Sequence, residues 1–177
     1  CYLLRSEDGR AFHDAGPMLD GTSVRTLLPF RDKLYTSLIG KKGHHGSESF
    51  NVTLLETDDP SSGNLYHASP PGLGDPTNTA LFDLEEFQGQ LYVSTMNHIG
   101  GFQVWKSDLS GTPPYRWTRV LANGGYRGFL NEFGLKLTAF GDCLYVGTGI
   151  AGGGYDRVHS RGPAAAEGGQ RREADPD

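Results

Sequence analysis

Four positions recur three times without an internal gap. They read Leu27-x-x-Phe30-x-x-x-Leu34-Tyr35, Leu84-x-x-Phe87-x-x-x-Leu91-Tyr92 and Leu137-x-x-Phe140-x-x-x-Leu144-Tyr145. The phenylalanines step from 30 to 87 to 140, by 57 and then 53 residues. Self-similarity at such a period marks a chain assembled from one supersecondary unit used repeatedly, each copy burying its apolar face on the next. A second element repeats in step. Leu4-Arg5-Ser6, Leu55-Glu56-Thr57 and Trp105-Lys106-Ser107 each lead into an Asp and then a Gly, at spacings of 51 and 50 residues.

The local pattern is β. Leu-x-x-Phe closes one strand and Leu-Tyr opens the next. Between them stand three residues: Arg31-Asp32-Lys33, Gln88-Gly89-Gln90 and Gly141-Asp142-Cys143. Short Gly- or Asp-bearing connections between β-rich runs predict hairpins. Phe102–Trp105 supplies a third strand, and Asp108–Gly111 turns towards a fourth in Trp117–Leu121. No stretch longer than about ten residues carries a capped helical face. Four antiparallel strands every fifty residues predict an all-β fold of β-propeller-type blades. Residues 1–156 divide into a partial blade at 1–22, blades at 23–70 and 79–122, and a partial blade at 134–156. Two complete and two partial units fall short of the four to eight blades of a closed ring, so an incomplete propeller is expected. Residue 1 is then expected to lie inside a longer gene product. The stretch 157–177 has no strongly apolar residue after Val158 and balances four arginines against four acids, a composition that predicts a disordered polar tail.

Lys plus Arg total 16 against 21 Asp plus Glu, a net charge of −5, which argues against a general electrostatic grip on nucleic acid or an anionic membrane. No apolar run of about 18 residues is present to span a bilayer, and no signal-peptide apolar segment opens the chain. Two cysteines, Cys1 and Cys143, make no disulfide framework, so the compartment is not encoded here. No cofactor or metal is assigned. Gly152-Gly153-Gly154 lacks the Lys-Ser/Thr of a phosphate loop, Asp58-Asp59 lacks the alternating spacing of a calcium loop, and His44-His45 has no further ligand at metal-site spacing.

The runs Phe87–Thr95 and Gly100–Ser107 resemble the blade repeat of uncharacterised, mostly bacterial β-propeller proteins with kelch-like units. The resemblance covers roughly residues 1–156. Ser6-Glu7-Asp8-Gly9-Arg10-Ala11-Phe12 is similar to an Asp-box, one residue short and with Phe in place of Trp. The resemblance implies that Ser6 and Asp8 bond the turn backbone while Phe12 packs beneath it. It implies a fold and leaves the function open.

In such a fold the turns between strands one and two and between three and four share one face. The connections from two to three and from blade to blade share the other. Here the second class is long and Gly-rich, at 38–51, 68–80, 95–101, 122–134 and 147–156. Long loops on a rigid scaffold are where function concentrates. Their chemistry selects His45, Asn97, His98, Tyr126, Arg127, Asn131, Glu132, Tyr155 and Asp156 as candidate ligand-binding residues for a protein or glycan, in a non-enzymatic binding or scaffold module. Gly, Asn and Asp in the same loops also serve simply to make turns. The recurring Phe30, Phe87, Phe140 and Tyr35, Tyr92, Tyr145 are expected to pack between blades. Two other readings stand beside this one. A sialidase-like glycosidase would draw on Arg25, Arg31, Tyr126 and Glu132, and a truncated gene product would have no function.

Overall fold

The computed structural model describes residues 1–19, 21, 23–39 and 52–150. Twelve strands run through them: β1 (Leu4–Arg5), β2 (His13–Asp14), β3 (Ser23–Phe30), β4 (Lys33–Ile39), β5 (Leu54–Thr57), β6 (Tyr66–His67), β7 (Ala80–Phe87), β8 (Gln90–Met96), β9 (Val104–Ser107), β10 (Thr118–Leu121), β11 (Phe133–Phe140) and β12 (Cys143–Gly149). Every pairing is antiparallel. The strands form an outer hairpin β1-β2, a meander β3-β4-β5-β6, and one six-stranded sheet in which a second meander β7-β8-β9-β10 is joined to the inner hairpin β11-β12 where Phe133 of β11 pairs with Met96 of β8. This is an all-β, incomplete propeller of two whole blades and two partial ones. No helical segment among the described residues exceeds four residues, so none is long and apolar enough to cross a membrane.

The hairpin connections differ from expectation by one residue. Each is a two-residue turn, and Lys33, Gln90 and Cys143 already belong to the following strand. Arg31 and Asp32 stand at φ 48° and 60°, Gln88 and Gly89 at 52° and 72°, and the third turn opens on Gly141 at 58°. Turns with positive φ match the right-handed twist of the strands they join, which is why two residues suffice. The third strand is also shorter than its apolar run. It begins at Val104, and Phe102 and Gln103 lead into it.

Each innermost strand carries a β-bulge at the same place. The register slips between Val24 and Leu27, between Leu81 and Asp83, and between Gly134 and Lys136. A bulge re-aims the side chains around it. Thr26, Asp83 and Lys136 thereby meet across three units: Thr26 Oγ1 donates to Asp83 Oδ1 (3.2 Å), and Lys136 Nζ lies 2.8 Å from Asp83 Oδ2. The backbone N–H of Leu137 donates to the same Oδ2 at 2.7 Å. A second bond repeats at the two junctions that follow the whole blades. Ser37 Oγ donates to the Leu81 carbonyl (2.9 Å), and Ser94 Oγ donates to the Gly134 carbonyl (2.7 Å).

Three apolar clusters fill the spaces between units. Leu3, Ala15 and Leu19 pack on Val24, Leu38 and Leu65. Tyr35, Leu54, Leu81, Leu84, Val93 and Trp117 join the first blade to the second. Phe102, Val104 and Leu137 join the second to the last hairpin. The aromatic stripe is core only where a neighbour exists. Tyr35 is 2% exposed but Tyr145, in register with it, is 54% exposed, and Phe140 lies open beside it. Packing expected for the last pair is absent because the described chain places no blade beyond β12.

Candidate functional site

The two classes of connection separate to opposite faces. On the tight-turn face the Arg31 guanidinium donates to the carbonyls of Asp108 (2.8 Å) and Gly89 (3.0 Å), drawing three turns together. The three outer turns there share one pattern. Gly9, Asp59 and Leu109 donate backbone N–H groups to the hydroxyls of Ser6, Thr57 and Ser107, and Arg10, Ser61 and Ser110 donate theirs to Asp8, Asp59 and Asp108. These bonds hold all three carboxyls below the ordinary aspartate pKa: backbone donors lead at Asp8 and Asp108, and the Ser61 hydroxyl leads at Asp59. Phe12 is exposed rather than tucked beneath its turn.

On the opposite face the loop 97–102 is sewn to the loop 122–132. Asn97 N–H donates to the Glu132 carbonyl (2.9 Å), Phe102 N–H to the Asn131 carbonyl (2.9 Å) and Gly124 N–H to the Phe102 carbonyl (3.1 Å). Asn123, Gly124, Gly125 and Tyr126 turn left-handed in succession, at φ 52°, 56°, 63° and 75°. The buried Asn131 amide closes that turn by donating to the Gly124 carbonyl at 2.9 Å. Asn78 does the same for Gly72 in the preceding connection, also at 2.9 Å. Gly101 is the crossing point of the two loops: a Cβ there would stand 2.2 Å from the Gly128 carbonyl oxygen.

The candidates therefore separate into framework and display. Asn97 is wholly buried. Its amide donates to Thr77 Oγ1 (2.8 Å) and Asn78 Oδ1 (3.1 Å), and its oxygen accepts the Ile99 and Gly100 N–H groups. Asn97 shapes its loop with both ends of its amide, and the Asn131 amide nitrogen is held by the Gly124 carbonyl. His98 and Glu132 do meet at the surface, Nδ1 to Oε2 at 2.7 Å. Tyr126, 92% exposed, and Arg127 lie on the adjoining loop without entering that pair. His45, Tyr155 and Asp156 lie outside the described residues, as do His44 and the stretch 157–177.

Sequence reasoning named Arg25 only for the glycosidase reading and missed Phe82 and Phe133, which extend the His98–Glu132 pair. The His98 ring stands edge-on to Phe133 at 5.8 Å, Phe133 stands edge-on to Phe82 at 5.7 Å, and the Arg25 guanidinium sits 5.3 Å above the Phe82 ring. Arg25 and Phe82 occupy the bulges of β3 and β7, and Phe133 opens β11. The strip Arg25, Phe82, Phe133, His98, Glu132 thus crosses three units at the mouth of the loop face. The bulges that aim Arg25 and Phe82 are set by pairing with β4 and β8 and leave no local signal in the sequence.

Behind the strip lies a buried polar lattice. Asp75 accepts from the Thr77 hydroxyl (2.6 Å) and the Gln103 amide (2.7 Å), and Gln103 Oε1 accepts from Trp105 Nε1 (2.8 Å). Burial opposes ionisation of Asp75, but the donors from Thr77 and Gln103, with Arg119 nearby, hold its carboxyl below the ordinary value. Arg25 and Arg31 stand at opposite ends of β3, about 20 Å apart at ~3.3 Å per residue, and do not converge on one anion. Among the described residues no three His, Cys, Asp or Glu side chains converge as a metal site would need. No family model, curated protein or solved structure compared with the chain matches it. Fold and site together describe an incomplete β-propeller with a displayed aromatic and charged strip on its loop face.

Proposed function

We propose that the chain is a non-enzymatic binding module that holds a protein segment on its loop face. The observation that carries this reading is the Arg25–Phe82–Phe133–His98–Glu132 strip, drawn from three units and bordered by the exposed Ile99, Tyr126 and Phe129. Apolar side chains displayed together on loops tied down by backbone bonds favour a partner with apolar side chains of its own. The Asn97 amide is spent within its loop and the Asn131 amide nitrogen is held by Gly124, which favours protein over sugar. The proposed partner is an extended peptide with an aromatic or aliphatic anchor and an acidic group for Arg25.

Selection of a displayed random dodecapeptide library on the immobilised chain tests this. Enriched peptides should lose at least tenfold in affinity with His98→Ala, Phe82→Ala or Arg25→Gln, and be unaffected by Glu7→Gln on the opposite face. Peptides indifferent to all three loop-face substitutions would overturn the reading. So would cleavage of a fluorogenic sialoside by the purified chain.

A further inference from the structure

The loop-face strip has unlike ends. At one end the exposed Arg25 guanidinium lies over the Phe82 ring, and it has no hydrogen-bond or carboxylate partner among the described residues. At the other end His98 meets Glu132 through Nδ1 at 2.7 Å, and its Nε2 has no partner among the described residues. A carboxylate can only accept, so the hydrogen in that contact sits on Nδ1, and in the neutral ring Nε2 is then an acceptor. The loop does not depend on this contact, because the Glu132 backbone carbonyl takes the Asn97 N–H by itself. Between the ends the half-buried Phe82 and Phe133 rings stand edge to face at 5.7 Å. One end gives hydrogen bonds and carries a full positive charge, the other takes a hydrogen bond, and the floor between them is apolar.

Resting on the peptide-binding reading above, we propose that the strip selects an extended segment with an acidic residue, an apolar anchor and a hydroxyl-bearing residue at positions i, i+2 and i+4, in either chain direction. Arg25 takes the acid, Phe82 and Phe133 take the anchor, and His98 Nε2 accepts the hydroxyl hydrogen. Two lengths set the spacing. Steps of 5.3, 5.7 and 5.8 Å lead from the guanidinium through the two rings to the imidazole, so the ends are at most about 17 Å apart, about five residues of extended chain. An extended chain turns every second side chain to the same side, about 6.6 Å apart. Acid and hydroxyl two residues apart leave no same-side anchor between them. Six residues apart they span about 20 Å and overrun the strip; four apart they span about 13 Å with one anchor in the middle. A hydroxyl suits the His98 end because it donates to Nε2 and leaves the Glu132 contact whole, whereas an ammonium would compete for the carboxylate itself. Glu132 is thus a positioning residue, which fixes the ring nitrogen that carries the hydrogen.

The test uses the full chain and has two readouts. Long-range proton–nitrogen NMR of the unliganded protein at pH 8 should show His98 neutral with its hydrogen on Nδ1, and Glu132→Gln should admit the other tautomer. A parent ring with its hydrogen on Nε2, or on both nitrogens, would overturn the assignment of an acceptor. The second readout takes the dodecapeptides enriched from the displayed library. Their sequences should share the acid, anchor and hydroxyl at i, i+2 and i+4. With the hydroxyl residue set to threonine, its exchange for valine should weaken binding to the parent about fivefold, and to His98→Phe less than about twofold. His98→Phe keeps a ring at the edge of Phe133 and has no acceptor. Exchange of the peptide's acid for its amide should weaken binding to both proteins alike. Peptides that need Arg25, Phe82 and His98 but show another spacing, or that bind equally with valine, would overturn this inference and leave the peptide reading standing. If no peptide is enriched, both fall.

Discussion

Replacing Lys33 with Met should destabilise the fold far more than a surface substitution. Glu56 is 2% exposed, in the middle of β5, and one of its oxygens takes both cationic and hydroxyl donors: Lys33 Nζ at 2.5 Å and the Tyr115 hydroxyl at 3.2 Å. Its other oxygen, Oε2, is buried with no hydrogen-bond partner among the described residues. At 2.5 Å and an effective dielectric of ~20 the Lys33–Glu56 attraction is about 7 kcal/mol, most of it offset by the cost of dehydrating the carboxylate. Loss of one partner from a fully enclosed pair costs ~3–5 kcal/mol; the Lys33 side chain is 35% exposed and water reaches it, so about 2–3 kcal/mol is expected. Glu56→Gln, which keeps an acceptor for Tyr115, should cost about 1 kcal/mol. The double substitution Lys33→Met with Glu56→Leu should be less destabilising than Lys33→Met alone, because no charge is left stranded. Urea unfolding at one fixed protein concentration measures all four proteins, since association would otherwise shift the midpoints. A Lys33→Met cost within 0.5 kcal/mol of zero, or a double variant no more stable than Lys33→Met alone, would refute the reasoning.

Three further outcomes follow from particular contacts. Gly101→Ala forces a Cβ to within 2.2 Å of the Gly128 carbonyl at a φ of 82°, so the two sewn loops should part and the Phe102 and Gly124 amides lose hydrogen-exchange protection, at a cost of about 2–3 kcal/mol. Asn131→Ala orphans the buried Gly124 carbonyl and should cost about 1–3 kcal/mol in thermal or urea unfolding, with Asp at that position failing to restore it because it brings no donor. Alkaline pH should weaken the fold. The Glu56 bond holds the Lys33 pKa above its ordinary 10.5, and burial, with Glu56 beside it, raises that of Tyr35 well above 10. The stabilisation is whole below about pH 10, and it falls as pH rises because the unfolded chain gives up protons the folded chain retains. Denaturant midpoints read from pH 8 to 11 should decline above 10, and less so in Tyr35→Phe; a flat profile would contradict the buried hydroxyl.

The repeat was legible because inter-blade packing needs the same large side chains at the same places. Leu84 and Leu137, or Tyr35 and Tyr92, are kept similar by similar holes. The turn length was misjudged by one residue because strand and turn overlap in Lys33, Gln90 and Cys143: their side chains suit either, and only positive φ in the preceding turn (Arg31 and Asp32, Gln88 and Gly89, Gly141) separates them. Asn97 and Asn131 read as ligand contacts because an amide in a Gly-rich loop serves a ligand and a left-handed turn equally well. Their burial, which follows from loops crossing at Gly101, is a tertiary fact with no local trace. Phe82 escaped notice, and Arg25 was read only as an anion ligand of a glycosidase, for the opposite reason. They lie inside strands, where a regular alternation would assign them to a sheet face, and the bulge that aims them elsewhere depends on pairing with β4 and β8.

The strip's dependence on three units sets how it can be perturbed without being touched. Arg25 belongs to the first blade, Phe82 and His98 to the second, and Phe133 to the last hairpin, so their spacing is set by the junctions and not by any one sheet. Ser94 fastens the second junction through the Gly134 carbonyl, directly beside Phe133, and is wholly buried. Ser94→Ala removes that single bond and leaves the carbonyl without it, a loss of about 1–2 kcal/mol that the remaining junction contacts, Asp83 with Leu137 and Lys136, should survive. The expected result is a folded protein in which the Phe82–Phe133 edge contact loosens and peptide affinity falls severalfold, although Ser94 itself is out of reach of any ligand. Ser37→Ala, the same change at the first junction, should instead disturb the Arg25–Phe82 contact and weaken recognition of the acidic group. If each serine lowers affinity equally for peptides with and without that acidic group, the strip is not divided between junctions in this way, and the blades act on the ligand as one rigid surface.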